Sequence, residues 1–277
     1  MTEIRTAIDF YERHPISARI VVAKLEAEHG SLANIKPEHL WPHDQDHYGG
    51  LPANDALAVS AGLKVGMRVA DFCAGLGGPA RYMALKYNVE VTGIELTPSR
   101  VAGANELSLL VDLADRVRVL EGDVMAAPLA DASQDVVLSQ EAFLHVPDLP
   151  RTFAEAFRIL KPGGVFAYTN WTAPGELSSA DKRLLWDGMA VARLYSREDQ
   201  KKMLECTGFR VNQTNDLSDQ WRDILVKRLA MYRKLRQEAA EAGAPAGHDA
   251  FYDSYVLFVD LMQSGGLGGA HFVAIKD

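Results

Sequence analysis

Short β-branched runs alternate with longer helix-like stretches through residues 66–172. The runs fall at 68–72, 90–94, 117–120, 135–138 and 165–169. Strands alternating with helices of roughly 10–15 residues read as βαβ units, a parallel sheet covered on both faces. One helix is legible residue by residue: Phe153, Phe157 and Leu160 fall at i, i+4 and i+7, after the turn formers Pro147 and Asp148. Residues 1–60 carry helical segments, 20–25 among them, interrupted by a polar, ring-rich stretch at 40–50. Beyond 172 the pattern turns mostly helical. Trp221, Leu225, Leu229, Tyr232 and Leu235 form one stripe at helical spacing, and Phe251, Tyr255, Phe258 and Met262 form a second. Residues 241–247 between them read as a loop. The run 271–275 reads as a closing strand after the glycine-rich 265–269. The two stripes read as core or as a subunit contact, and a subunit contact would make the protein a homodimer.

Composition narrows the class. The chain has 277 residues, 48 % hydrophobic and 24 % charged, which excludes a disordered or collagen-like polymer and fits one large domain or two small ones. No apolar run approaches the ~20 residues of a membrane span. Met1 to Arg5 has no apolar core after a basic stretch, so no secretory signal is expected. Cys73 and Cys206 cannot make a disulfide framework, and no His/Cys spacing suggests a metal. A net charge of −8, with no basic stripe, argues against nucleic acid. The expectation is a cytoplasmic protein acting on a small molecule, with neither membrane nor nucleic acid as partner.

The strongest local signal is Asp71-Phe72-Cys73-Ala74-Gly75-Leu76-Gly77-Gly78-Pro79, directly after the first strand. Gly75, Gly77 and Gly78 permit positive φ and close backbone approach where strand passes into helix. Pro79 suits the first helical turn, where a missing N–H costs little. Nicotinamide-dependent oxidoreductases use such a turn too, and Gly75, Gly77 and Ala80 formally meet their pattern. Two carboxylates discriminate. Glu95 ends the second strand, 20 residues after Gly75, where it can take both hydroxyls of a ribose. Asp71 puts an anion beside the turn, which suits an amino group better than a pyrophosphate.

The ordered set Asp71, Gly75-Leu76-Gly77-Gly78, Glu95, Gly122-Asp123 and Leu160-Lys161-Pro162-Gly163-Gly164 resembles the class I S-adenosylmethionine-dependent methyltransferases over residues 60–172. The resemblance implies an α/β, Rossmann-like, doubly wound seven-stranded sheet of order 3-2-1-4-5-7-6, its last strand, 271–275, antiparallel beside a strand at 208–211. It also implies a helical lid at 1–60 and a methyltransferase domain at 61–277 carrying a helical insertion at about 218–263. The backbone near Gly75 and Gly77 would approach the methionine part of S-adenosyl-L-methionine, with Asp71 by its ammonium. Glu95 would hold the ribose, Asp123 would accept from the adenine amino group, and the Val124 N–H would meet the ring. Ala74, Leu96 and Gln140 complete this cofactor set. Leu160 to Gly164 reads as the turn feeding the fifth strand.

The fourth strand runs into Ser139-Gln140-Glu141-Ala142-Phe143-Leu144-His145. One helical turn would put Glu141 and His145 on one face, where the transferable methyl is expected. A near-neutral His can accept a proton from the acceptor, and a carboxylate beside it can orient the ring or pair with a cation. The segment is similar to that of the glycine, sarcosine and dimethylglycine N-methyltransferases and of the phosphoethanolamine N-methyltransferases. In the phosphoethanolamine enzymes this His pairs with an N-terminal tyrosine. Tyr48 is the tyrosine taken for that catalytic role here, with Tyr11 and Trp41 as rivals and His47 as an alternative base. Phe143, Tyr48, Trp41 and Trp171 could box an ammonium. A small-molecule nitrogen acceptor is therefore expected, ahead of oxygen, sulfur or carbon. The Lys227, Arg228, Arg233, Lys234 and Arg236 cluster reads as a solvated helix face.

Overall fold

The chain, described from a computed structural model over residues 2–14, 16–241 and 250–277, opens with four helices. They are α1 (Thr2–Glu12), α2 (Ala18–His29), α3 (Pro37–Asp44) and α4 (Gly50–Ser60). Then β1 (Arg68–Phe72), α5 (Gly78–Tyr87), β2 (Glu90–Glu95), α6 (Pro98–Leu110), β3 (Val117–Glu121) and β4 (Gln134–Gln140) alternate. The second half holds α7 (Leu149–Ile159), β5 (Leu160–Thr172), α8 (Ser179–Met189), α9 (Arg197–Thr207) and β6 (Phe209–Asp216). α10 (Ser218–Glu241) and α11 (Ala250–Ser264) precede β7 (Gly268–Lys276). The seven strands form one sheet of order β3-β2-β1-β4-β5-β7-β6, in which β7 runs antiparallel to both neighbours, as expected. Residues 242–247 of the expected loop lie outside the described residues.

Strand residues alternate between two apolar layers. Val69, Val136 and Leu138 join Val91 and Val117 on one face. Ala70, Phe72 and Val137 point to the other, against Phe153, Phe166 and Tyr168. Both faces are buried, so the central strands read as continuous apolar runs. α7 shows the local logic. Asp148 caps it by accepting from the Arg151 N–H at 3.0 Å, and Pro150 fills its first turn. It buries Leu149, Phe153, Ala156 and Ile159, and truncating Phe153 to alanine would cost about 3–5 kcal/mol. The helix stops at Ile159, and Leu160 already pairs with Gln134 in the sheet. The register then resumes at Val165 opposite Val136, so residues 161–164 form a bulge at the foot of β5, with Gly163 at φ +76°.

The two late stripes are core. Trp221, Leu225 and Leu229 of α10 pack with Tyr255, Phe258 and Met262 of α11 around Trp171. The N-terminal helices dock on the cofactor half of the sheet through a buried ion pair, Arg81 to Asp44 at 2.9 Å. The same guanidinium donates to the carbonyls of Leu76 (2.7 Å) and Ala104 (3.1 Å). Gly78 explains the close fit: a Cβ there would collide with the Asp44 carbonyl oxygen. No helix among the described residues is long and apolar enough to cross a membrane.

Candidate active site

The chain turns sharply after β1. Cys73, Gly75 and Gly77 all take positive φ, at 60°, 55° and 72°. Gly77 is the N-cap of α5 and lies behind the turn, where a Cβ would press on the Arg81 guanidinium. Glu95 fixes the turn from the neighbouring strand. One oxygen accepts the Gly75 N–H and the other the Thr97 N–H, each at 2.9 Å. Asp123 accepts the Met125 N–H at 2.8 Å and so caps the short turn that carries Val124. Asp71 differs from both. It is buried, and no donor among the described residues reaches its carboxylate. Burial and then the nearby Glu95 charge push its carboxyl up to about 7.

A cleft opens over the carboxyl ends of β1, β2, β3 and β4. Asp71, Ala74, Gly75, Glu95 and Leu96 line one side; Asp123, Val124 and Gln140 line the other. Of the nine residues expected around the cofactor, only Gly77 is absent from that wall. A second cavity adjoins the first, and Tyr11, Asp46, Glu141 and His145 line both.

His145 sits in a 3-10 turn, Phe143–His145, after Glu141 takes a left-handed φ of 57°. Glu141 and His145 thus meet at the seam of the cavities without the helical turn expected between them. The His145 Nδ1 lies 3.0 Å from the Ala190 carbonyl, which can only accept, so Nδ1 carries the proton. Nε2 is then free to accept the Tyr11 O–H at 2.9 Å. Burial lowers His145 to about 4, so the imidazole is neutral at physiological pH. Burial raises the Tyr11 phenol, opposed by the Arg100 guanidinium 4.4 Å from its ring centroid. Arg100 also reaches Asp46 at 3.3 Å and the Ile16 carbonyl at 3.3 Å, which pins the end of α1 to the cleft.

Tyr48 takes no part in that pair. Its backbone N–H donates to both Glu141 oxygens at 3.0 Å. Its ring packs on Trp171 and Trp221, with centroids 5.5 and 5.6 Å away. Tyr11, a rival in the sequence reading, is the tyrosine that meets His145, because α1 folds back over the 3-10 turn. Burial pushes Glu141 up to about 8. Both nitrogens of His47 are engaged, with the Tyr48 carbonyl at 3.2 Å and the Gln45 amide oxygen at 3.1 Å. Of the four rings proposed as a box, Tyr48 and Trp171 line the second cavity. Phe143 belongs to the sheet core, and Trp41 packs edge-on to Tyr82 of α5. Phe10, Tyr232, Phe251, Tyr255 and Phe258 supply the remaining aromatic wall.

A doubly wound sheet with a glycine turn after β1 and acids ending β2 and following β3 defines a Rossmann-like domain that holds a nucleoside-bearing cofactor. A family model described as a methyltransferase domain matches residues 70–168. The chain is 32 % identical over 190 residues to 27-O-demethylrifamycin SV methyltransferase of Amycolatopsis mediterranei, covering 68 % of this chain and 70 % of that protein. It is 33 % identical over 168 residues to sterol 24-C-methyltransferase of Yarrowia lipolytica, covering 58 % of this chain and 44 % of the relative. The chain thus spans less than half the length of the sterol methyltransferases it matches. The fold superposes on Haemonchus contortus phosphoethanolamine N-methyltransferase 2 in complex with S-adenosyl-L-methionine, with a TM-score of 0.73 and 23 % identity over 97 % of this chain and 59 % of the other. The chain belongs to the S-adenosylmethionine-dependent methyltransferases, and S-adenosyl-L-methionine is the cofactor. The oxidoreductase alternative falls with that membership. The cleft fits this cofactor: Asp71 is a buried acid that no donor among the described residues reaches, beside a turn that admits close approach.

Proposed function

We propose that this chain methylates a hydroxyl or amine of a small, largely apolar acceptor held in the second cavity. The carrying observation is the Tyr11–His145 hydrogen bond at the seam of the two cavities. When bound, S-adenosyl-L-methionine supplies an electrophilic methyl group on a sulfonium. Asp71 pairs with its ammonium, Glu95 with its ribose, and Asp123 and Val124 with its adenine. The Tyr11 oxygen takes the proton that the acceptor atom loses, while its own proton passes to the neutral His145 Nε2. Arg100 and the Ala190 carbonyl hold these two groups in line, and the aromatic wall excludes water.

Nitrogen, the acceptor expected from the sequence, draws support from the Tyr48 and Trp171 ring faces, which favour a cation, and from Glu141, which a cationic acceptor beside it would draw towards its ionised form. Oxygen draws support from the rifamycin relative, whose name places its reaction on an oxygen. Purified protein is incubated with the cofactor and a panel of phenols, alcohols and amines on one- to four-ring bodies. S-adenosylhomocysteine release and product mass are read. Turnover of the hydroxyl or amine members, lost in Tyr11→Phe, is the expected result. Methylation confined to carbon, or unaffected by Tyr11→Phe, overturns the reading.

A further inference from the structure

Arg228 is the one charge lining the second cavity to which nothing above gives a task. Its neighbours in the basic cluster, Lys227, Arg233, Lys234 and Arg236, are exposed, as the sequence pattern predicts. Arg228 instead turns inward and lines the cavity. Its guanidinium carbon stands 4.6 Å from the centroid of the Tyr48 ring, and one N–H donates to the His47 carbonyl at 3.1 Å. Neither a ring face nor a carbonyl neutralises the charge. Among the described residues no carboxylate lies within ion-pair distance of it. Of the acids of the cavity, Asp46 pairs with Arg100 at 3.3 Å, and Glu141 accepts the Tyr48 N–H and feels the Arg228 charge without contacting it. Arg81, Arg100 and Arg158, by contrast, each have a carboxylate partner.

A partly desolvated cation without a counter-ion is unfavourable until an anion reaches it. Contact with the Tyr48 ring and the His47 carbonyl places the guanidinium and leaves its remaining N–H donors in their planar fork. That fork matches a planar oxyanion taken by two parallel hydrogen bonds, which a lysine ammonium cannot reproduce. Tyr48 also ties this position to the transfer end, since its N–H holds Glu141 at the seam of the cavities. The walls beyond, Trp171, Tyr232, Phe251, Tyr255 and Phe258 among them, are aromatic and carry no charge.

We propose that Arg228 anchors a carboxylate carried by the methyl acceptor, which is therefore an aromatic or polycyclic acid bearing a hydroxyl or amine close to its carboxylate. This rests on the reading of the second cavity as the acceptor site. The test compares two probes of one shape, naphthoate and naphthamide, by calorimetric titration of the full chain saturated with S-adenosylhomocysteine. Wild type is expected to bind the carboxylate about ten-fold tighter than the amide, the value of one charge-assisted contact. Arg228→Gln should abolish that preference and leave amide and S-adenosylhomocysteine affinities unchanged. Arg228→Lys should restore only part of it. Equal affinities in wild type, no binding of either probe at millimolar concentration, or a preference that survives Arg228→Gln overturns the proposal. A carboxylate preference that holds while no hydroxyl or amine is methylated leaves Arg228 as an anion site and removes the acceptor reading instead.

Discussion

Asp71 gives the sharpest quantitative test of the cofactor cleft. Its carboxyl, ordinarily near 3.8, is pushed up to about 7 by burial and by Glu95, so at pH 6 only about one molecule in eleven carries the charge. At pH 7 about half do. A cofactor ammonium pairs with the ionised form, so binding must expel the proton. The sign follows: affinity rises with pH, by about five-fold between pH 6 and 7. The range stops there because an α-amino group, with a pKa of about 7.7–8.0, begins to lose its own proton above it. Calorimetry of S-adenosyl-L-methionine binding in two buffers of different ionisation enthalpy should show about half a proton released at pH 7. Asp71→Asn should bind more weakly, without the pH slope and without this proton release. A slope that persists in Asp71→Asn, or is missing in wild type, refutes the assignment of Asp71 to the ammonium.

Tyr11→Phe removes the hydroxyl on His145 Nε2; kcat is expected to fall about 10²–10⁴-fold with cofactor affinity unchanged, and a fall under three-fold would refute the relay. Glu95→Gln replaces a carboxylate that holds the Gly75 and Thr97 N–H groups by an amide that can accept at only one oxygen. Titration should show the cofactor dissociation constant rising about ten- to a hundred-fold, as for loss of a hydrogen bond to a charged group. Asp44→Ala leaves the Arg81 guanidinium buried without its partner. The loss is about 3–5 kcal/mol, seen in thermal denaturation as a fall in Tm of roughly 10 °C.

The cofactor half was legible because its elements are contiguous. The glycine turn, Glu95 and Asp123 each follow directly on a strand that its own β-branched run announces, and the sheet then brings those strand ends together. The sequence offers Tyr48 in His47-Tyr48-Gly49-Gly50, with Tyr11 as a rival, and does not tell the two apart. Nothing local distinguishes Tyr11 within α1. Its partner lies 134 residues away, and only the docking of α1 over the 3-10 turn decides which phenol arrives. Arg228 was hidden for a related reason. It shares a helix and a charge with four exposed neighbours, and the rotation that turns it inward is set by Trp221, Leu225 and Leu229 burying against α11. Gly78 lines the cofactor cleft as part of the turn, and what its sequence position does not announce is its second close approach, to the Asp44 carbonyl of α3.

The same division explains why the sheet alone cannot name the acceptor. Cofactor contacts come from strand ends whose positions the parallel ladder fixes. The second cavity is assembled from α1, the 3-10 turn, the end of α8, and the pair α10 and α11, which join through side-chain packing and a few hydrogen bonds, the Ala192 N–H to the Leu144 carbonyl at 2.8 Å among them. His145 depends on Ala190, 45 residues away, for its tautomer and on α1 for its hydroxyl partner. Substitutions in those helices can therefore reshape the cavity without touching Asp71, Glu95 or Asp123. Relatives named for a sterol carbon and for a rifamycin oxygen can share one sheet for this reason. On the proposed reading, acceptor specificity in this chain resides in the charges and rings that the helices carry to the seam, Tyr11, Glu141, His145 and Arg228, and the strand order is silent about it.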